Sequence, residues 1–196
     1  TTRLVGSEMC IRDRVTITFD YCYDSAGNII KFQQTTVSDG YTVGTVGEEL
    51  CKIFADGKEA YCIEPGHTLY SGNTLTESAS TVWKNLGSAK QKAINIALLY
   101  GKPGSEKSLS GTEDQKWVAT QLIVWEFVSG CRSTADGYKC TNTKFIDGIC
   151  AGGANPGVKS VYNAISKSLA NYSIVPSFAS AIASKAETLS LIHISE

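Results

Sequence analysis

The feature that most constrains the fold is a nearly continuous apolar stretch at residues 117–128. It places Gln121 in an apolar, aromatic stripe with neighbours at helical spacing: Trp117, Val124, Trp125 and Val128. The stretch is apolar almost all round, so we expect a helix that is buried on most sides. A buried carboxamide without a partner costs roughly 1–3 kcal/mol, and Gln121 therefore needs hydrogen bonds, which a neighbouring backbone commonly supplies.

Charge and composition exclude several classes of function. The chain has 196 residues with 42% hydrophobic and 19% charged residues, which is typical of one globular domain. The net charge is −1, which predicts neither a nucleic-acid partner nor a polybasic strip for anionic lipid. The apolar stretch at 117–128 is too short to span a bilayer and contains Gln121 and Glu126, so membrane insertion is not expected.

Two hairpins are expected in the first half of the chain. Residues 15–23 alternate with a period of two, turn at 24–28 and return through 29–37. The odd positions of the first strand are expected to share one face: Val15, Ile17, Phe19, Tyr21 and Tyr23. A second hairpin turns at Asp56-Gly57, a strong two-residue turn signal.

The second half is expected to be helical. Residues 88–100 form one helix with a stripe of Ala89, Ala93, Ile96, Leu99 and Tyr100. Residues 112–130 form a second helix, opened by a capping box of Thr112 and Gln115.

A third helix is expected at 155–172, with Asn155 as N-cap and Pro156 at the first helical position. Its apolar face is Val158, Val161, Ile165 and Leu169. A long loop is expected at 131–154. Strands followed by helices predict an α+β domain.

The two ends are expected to be foreign to the natural protein. Residues 1–14 and 191–196 resemble translated sequencing-adaptor reads, and we exclude them from functional reasoning. The domain then covers 15–190. We expect a β-rich part at 15–78, a helical part at 79–173, and the start of a returning β part at 174–190 that is incomplete.

The chain has seven cysteines, which is many for a cytosolic protein of this size and suits an extracellular one. Without Cys10, six remain, and six allow fifteen pairings. They are Cys22, Cys51, Cys62, Cys131, Cys140 and Cys150.

Cys62 has several interpretations from the residues alone. If the second hairpin keeps its register through Asp56-Gly57, Cys51 lies opposite Cys62, and a cross-strand disulfide is one alternative. A metal site is weaker, since there is no C-x-x-C and His67 is the one histidine outside the excluded ends. A Cys–His hydrolase is another alternative, although His67 lies only five residues from Cys62.

Two motifs together resemble a known family. The sequence YCIEPG at 61–66 and the sequence TQLIVW at 120–125 resemble the thioester domains of Gram-positive bacterial surface adhesins, also called TQXA domains. The sequences AINIALLYG at 93–101 and VPSFAS at 175–180 are also similar to the family. The cysteine-rich loop at 131–150 departs from it.

The resemblance implies a β-rich, sandwich-like or barrel-like subdomain and an all-helical subdomain, with an internal thioester between Cys62 and Gln121 at their junction. Trp117, Trp125 and Tyr61 would wall the bond from water. Thr120 is part of the motif.

The implied function is covalent adhesion, in which a lysine amine of a host extracellular protein displaces the sulfur. Glu64 or His67 is expected to assist by taking the proton of the amine. The reaction is single-turnover, so the domain is not expected to be an enzyme. It needs neither cofactor nor metal. We expect a location on the bacterial cell surface and further adhesin domains in a cell-wall-anchored parent chain.

Two other functions stay open: a cysteine-dependent acyl-transfer enzyme and a disulfide-stabilised, non-covalent binding module. Cys131 and Cys140 are expected to form a disulfide that closes a short loop. Every other cysteine pairing stays open.

Overall fold

The structure, a computed structural model, describes residues 15–67, 70–72, 74–75, 81–105, 108–135 and 137–172. All six described strands precede the described helices in the chain, and the strands and helices pack together. The strands are β1 (Val15–Tyr21), β2 (Thr36–Ser38), β3 (Tyr41–Gly44), β4 (Cys51–Ala55), β5 (Lys58–Ala60) and β6 (Thr74–Leu75). The helices are α1 (Thr81–Asn85), α2 (Gly87–Tyr100), α3 (Lys102–Ser105), α4 (Glu113–Val128), α5 (Lys144–Cys150) and α6 (Pro156–Ala170).

The strands form two open antiparallel sheets. One has the order β5-β4-β1-β6, and the other pairs β2 with β3. The expected α+β class is confirmed. The described strands do not close into a barrel, which the resemblance had allowed.

The second predicted hairpin is confirmed with its register. Ala55 pairs with Lys58 and Ile53 with Ala60 across the turn. Asp56 and Gly57 both have positive φ angles, 48° and 76°. A two-residue hairpin turn with both φ angles positive matches the right-handed twist of the strands.

The first predicted hairpin is only partly right. Its turn exists, since Tyr23 and Ile29 form an antiparallel bridge. The main partner of β1 is β4, however, and residues 29–37 contribute only isolated bridges and the start of β2. Tyr21 and Tyr23 are exposed, so the predicted inward face ends at Phe19.

Helix α4 is the centre of the core, as the apolar stretch predicts. Residues 115–127 are all buried, and α4 packs against α2, α5 and α6. Its N-terminus carries the predicted capping box. The Gln115 N–H donates to Thr112 Oγ1 at 3.2 Å, and the Thr112 N–H donates to Gln115 Oε1 at 3.0 Å. These bonds satisfy two of the N–H groups at the start of the helix.

The apolar face of α6 is confirmed, because the four residues predicted for it are buried. Asn155 does not cap the helix with its side chain. It has a left-handed backbone, and its Nδ2 donates to the Ile149 carbonyl at 2.8 Å. The stripe predicted for α2 is only partly right: Ala93 and Ile96 are buried as predicted, but Leu99 is exposed. Ile94 and Ala97, which were not predicted, are also buried. The neighbouring helices decide which face α2 buries, and the sequence of α2 alone does not show it.

The predicted loop at 131–154 contains α5, which was missed, and a 3-10 turn at Ala151–Gly153. The expected Cys131–Cys140 disulfide is absent, since all six cysteines in the described part of the chain are free thiols. The reason is the pairing of the backbone. Arg132, not Cys131, lies opposite Cys140, and consecutive side chains of an extended pair point to opposite faces.

None of the described helices is long and apolar enough to cross a membrane. The predicted returning β part at 174–190 and the two expected extensions, 1–14 and 191–196, lie outside the described residues.

Candidate functional site

Cys62 lies where the chain leaves the sheet and passes over α4. Strand β5 ends at Ala60, whose carbonyl accepts a hydrogen bond from the Trp117 indole at 3.2 Å. The next residue, Tyr61, stacks on the Trp117 ring with a centroid distance of 5.5 Å. These two contacts fix the segment that carries Cys62 against the first half of α4.

The carboxamide of Gln121 is bound to the backbone of Cys62 by two hydrogen bonds. The Cys62 N–H donates to Gln121 Oε1 at 2.8 Å, and Gln121 Nε2 donates to the Cys62 carbonyl at 2.8 Å. Gln121 is only 1% exposed. These two hydrogen bonds satisfy the buried carboxamide of Gln121, and they hold it next to a residue that carries a thiol.

The Cys62 sulfur is held against a tight turn. The Glu64 N–H lies 3.4 Å from Sγ, and the Cys62 thiol faces the Glu64 carbonyl at the same distance. The turn runs from Glu64 to His67, whose N–H donates to the Glu64 carbonyl at 3.1 Å. Gly66 has a φ of 87°, as the third position of a type II turn requires, and Pro65 at the second position suits the same turn.

The surroundings of the sulfur favour the neutral thiol. Burial raises the pKa of Cys62, while the Glu64 N–H and the indole of Trp125 oppose part of the change. A raised pKa means that little thiolate exists at neutral pH. The thiol is therefore unlike the electropositive, ionised thiols of many cysteine enzymes.

A cavity of about 210 Å³ opens beside Cys62. Its described lining includes Trp125, His67 and two carboxylates, Glu48 and Glu64, and it contains no Lys or Arg. The His67 ring packs on Tyr41 with a centroid distance of 4.5 Å. The cavity is large enough for an alkyl amine, and its acidic lining attracts a cation rather than an anion.

The other predicted site residues are divided between the cavity and the packing around it. Of the three aromatic residues expected to wall the site, Trp125 lines the cavity, whereas Tyr61 lines a larger apolar groove and Trp117 is buried in the core. Thr120 does not face the thiol. Its Oγ1 accepts from the Lys102 N–H at 3.0 Å and donates to the Lys116 carbonyl at 2.8 Å.

Cys51 lines the same cavity as Cys62. The two do not form the disulfide that was an alternative from the sequence. The strands β4 and β5 do pair in the register that would place Cys51 opposite Cys62. Their pairing stops at Ala60, however, and both thiols are free.

Several cavity residues were not predicted: Phe19, Thr42, Val43, Glu48 and Ile53. They come from β1, β3, β4 and the segment between β3 and β4. The pairing of β1 with β4, which brings Phe19 opposite Ile53, has no local sequence signal. In the part of the chain that the structure describes, no cluster of three or more His, Cys, Asp or Glu side chains is arranged to hold a metal ion.

Comparison with known proteins identifies the family of the chain. A family model of the thioester domain matches residues 59–171, more than half of the 196 residues, and the match contains both Cys62 and Gln121. No curated protein and no solved structure matches the chain. The chain belongs to the thioester domain family.

Proposed function

We propose that Cys62 and Gln121 form an internal thioester and that the domain uses it to attach covalently to a primary amine of a host protein. The observation that carries this proposal is the pair of 2.8 Å hydrogen bonds between the Gln121 carboxamide and the Cys62 backbone. They hold the electrophile beside the residue that bears the nucleophile. The family match supports the same pair.

Formation of the bond is a substitution at the Gln121 carbonyl carbon. The Cys62 sulfur attacks this carbon, the C–N bond breaks, and the thiol proton leaves with the nitrogen as ammonia. Negative charge develops on Oε1, which already accepts from the Cys62 N–H. A free thiol scarcely reacts with an amide in water, but fixed groups gain an effective molarity on the order of 10⁵ M or more.

Amine capture is a second substitution at the same carbon. The amine nitrogen bonds to the Gln121 carbonyl carbon, the C–S bond breaks, and Cys62 is released as a thiol. The product is an amide, which is stabilised by resonance more strongly than the thioester. The reaction runs once per molecule, so the domain is a covalent binding module and not an enzyme.

The cavity favours the amine of a lysine side chain. A lysine reaches it charged, and Glu48 and Glu64 attract that charge. The ammonium must lose a proton before it attacks, and His67 or Glu64, which both line the cavity, takes that proton. The buried Trp125 limits the access of water to the sulfur.

Surface adhesion is the biological role that fits this chemistry. An amide bond to a host protein resists shear that separates non-covalent complexes. We infer an extracellular location, on the cell wall of a Gram-positive bacterium, and further adhesin domains in the same parent chain.

The intact mass of the protein under non-reducing, amine-free conditions tests the bond. We expect the wild type to be lighter by one ammonia, and the Cys62→Ala variant to have its full mass. Cys51→Ala is the matched control, because Cys51 lines the same cavity, and it should keep the deficit. A wild type of full mass, or one short only by the hydrogens of disulfides, would refute the thioester.

Incubation with methylamine then tests the function. We expect one adduct per molecule, located on Gln121 by peptide mapping. A cysteine-dependent acyl-transfer enzyme would release product repeatedly, and a non-covalent binding module would give no adduct. Either result would replace covalent adhesion as the function.

A further inference from the structure

The indole N–H of Trp125 is a buried donor that has no standard hydrogen-bond acceptor among the residues that the structure describes. The Trp125 side chain is about nine-tenths buried, at 8% exposure, and Nε1 has no acceptor among the described residues at normal hydrogen-bond geometry. Trp125 lines the cavity that contains the Cys62 thiol. A buried N–H without an acceptor is costly, so its position calls for a physical reason.

The second tryptophan of α4 provides a contrast. Trp117 is also buried, but its indole N–H donates to the Ala60 carbonyl at 3.2 Å. Of the two indole N–H groups of α4, that of Trp117 therefore has a hydrogen-bond acceptor, whereas that of Trp125 has no standard acceptor among the described residues. Trp125 shares this cavity with the Cys62 thiol and opposes part of the rise in the pKa of that thiol, and a neutral thiol is a weak acceptor.

A second donor approaches the same sulfur. The Glu64 N–H lies 3.4 Å from Cys62 Sγ, and the turn that follows fixes its direction. A main-chain donor at this position does not depend on a side-chain rotamer. The sulfur is thus contacted by one backbone N–H, and it shares its cavity with an indole N–H from a different part of the chain.

We propose that the Glu64 N–H and the Trp125 indole N–H stabilise the Cys62 sulfur as it leaves the thioester during amine capture. This inference rests on the proposed function. As the amine bonds to the Gln121 carbonyl carbon, the C–S bond breaks and its electron pair passes to sulfur. The amine proton passes to a base of the cavity, and the thiolate later takes a proton from solvent.

The two donors act more strongly on the transition state than on the thioester. The sulfur of a thioester is neutral and accepts hydrogen bonds poorly, whereas a departing thiolate is charged and accepts them well. Interactions that appear only as charge develops accelerate a reaction without stabilising its starting state. Trp125 is then a catalytic residue that contacts a reacting atom and also excludes water.

Replacement of Trp125 by benzothienylalanine tests this role, because that residue has nearly the same shape and carries sulfur in place of the N–H. We expect the rate of methylamine capture to fall about 10-fold to 100-fold. The same replacement at Trp83, which does not line the cavity at Cys62, is the matched control and should leave the rate unchanged. Equal rates for the wild type and the Trp125 isostere would overturn the proposal.

The pKa of the released thiol gives a readout that a purely structural role would not change. After methylamine capture Cys62 is a free thiol, and its alkylation rate by iodoacetamide against pH reports the pKa. We expect the Trp125 isostere to raise this pKa by about 1, since the thiolate loses a donor. An unchanged pKa would contradict the donor role.

The outcomes separate this inference from the function on which it rests. A wild type without the ammonia deficit refutes the thioester itself. The wild type and the isostere could both show the deficit, capture methylamine at the same rate and have the same thiol pKa. That result would refute only the role of the two donors to the sulfur. If the isostere fails to form the thioester, its thiol pKa is compared with that of the Gln121→Ala variant, and equal values refute the donors.

Discussion

Gly66 approaches Tyr41 so closely that a Cβ at position 66 would lie 2.6 Å from the Tyr41 Cβ and 3.2 Å from the Thr42 carbonyl oxygen. The turn that begins at Glu64 is therefore packed directly on β3. The Glu64 N–H belongs to this turn, so the contact with β3 also sets the position of a donor to the Cys62 sulfur.

Gly66→Ala should disturb this turn in two ways. The φ of 87° disfavours a Cβ, and the contact with Tyr41 leaves no room for one. We expect the free energy of unfolding to fall by about 2–4 kcal/mol and the fraction of protein with the ammonia deficit to fall with it. Chemical denaturation and intact mass measure the two effects.

Gly57→Ala is the control for Gly66→Ala. Its φ of 76° is similar, but a Cβ there meets nothing within 4 Å. This substitution should lower the free energy of unfolding by about 1 kcal/mol, from backbone strain alone, and leave the mass deficit unchanged. Equal costs at the two glycines would show that the contact with Tyr41 is unimportant.

The Thr120→Val variant tests whether Thr120 stabilises the fold or takes part in the reaction. The substitution keeps the shape but removes the hydroxyl that accepts from the buried Lys102 N–H. We expect the free energy of unfolding to fall by about 1–3 kcal/mol, with the thioester still formed in the folded protein. Thr18→Val, at an exposed position of β1, should change stability by less than about 0.5 kcal/mol. Loss of the mass deficit in folded Thr120→Val would assign Thr120 to the reaction.

Glu126→Gln should destabilise the protein strongly. Glu126 is fully buried and accepts from Arg132 Nε at 2.7 Å and from the Tyr162 hydroxyl at 2.7 Å. The neutral variant leaves the Arg132 charge buried without a counter-charge, and we expect a loss of about 3–5 kcal/mol in chemical denaturation. The half-exposed pair of Lys31 and Glu49 is the control.

Glu49→Gln should lower the free energy of unfolding by less than about 1 kcal/mol, because solvent screens the pair of Lys31 and Glu49. Similar losses for Glu126→Gln and Glu49→Gln would mean that the buried charge of Arg132 finds compensation elsewhere.

The buried thiol of Cys22 should make the protein less stable at alkaline pH. Burial raises the pKa of its thiol, and the Asp114 carboxylate adds to the change. The folded protein therefore keeps this proton after the unfolded chain begins to lose it near pH 8.5, so the contribution is complete below that pH and declines above it. We expect a decline of about 1.4 kcal/mol per pH unit from this one group.

The measurement compares the free energy of unfolding of Cys62→Ala with that of Cys62→Ala/Cys22→Ala, from about pH 8 to pH 10, under a non-thiol reductant. The double variant should be less stable at pH 8 but should lose stability more slowly as the pH rises. Parallel curves would show that the Cys22 thiol ionises in the folded protein.

Local signals accounted for much of the fold. The burial of α4, its capping box and the Asp56-Gly57 hairpin each depend on a few neighbouring residues, and all three were predicted. Helix α5 was missed, because Phe145, Ile146 and Ile149 form only a short apolar pattern inside a loop rich in Gly and Cys. Asn155 was expected to cap α6, but its side chain donates to the Ile149 carbonyl in α5.

The site was less accessible to reasoning from residues. Gln121 was expected to need a backbone partner, but nothing in local spacing names Cys62, 59 positions away. Only the resemblance joined the two. The cavity depends on the pairing of β1 with β4, a non-local contact that no short pattern encodes, so Glu48 and Phe19 were not predicted to line it.

The burial of α4 has a mechanical consequence. If the domain captures an amine as proposed, the tether to the target leaves the domain from Gln121, and Cys62 carries none of the tension. Gln121 lies near the middle of the helix whose residues 115–127 are all buried. A pull on the target would act on the best-anchored element of the domain, and the helix would yield only if its packing against α2, α5 and α6 failed with it.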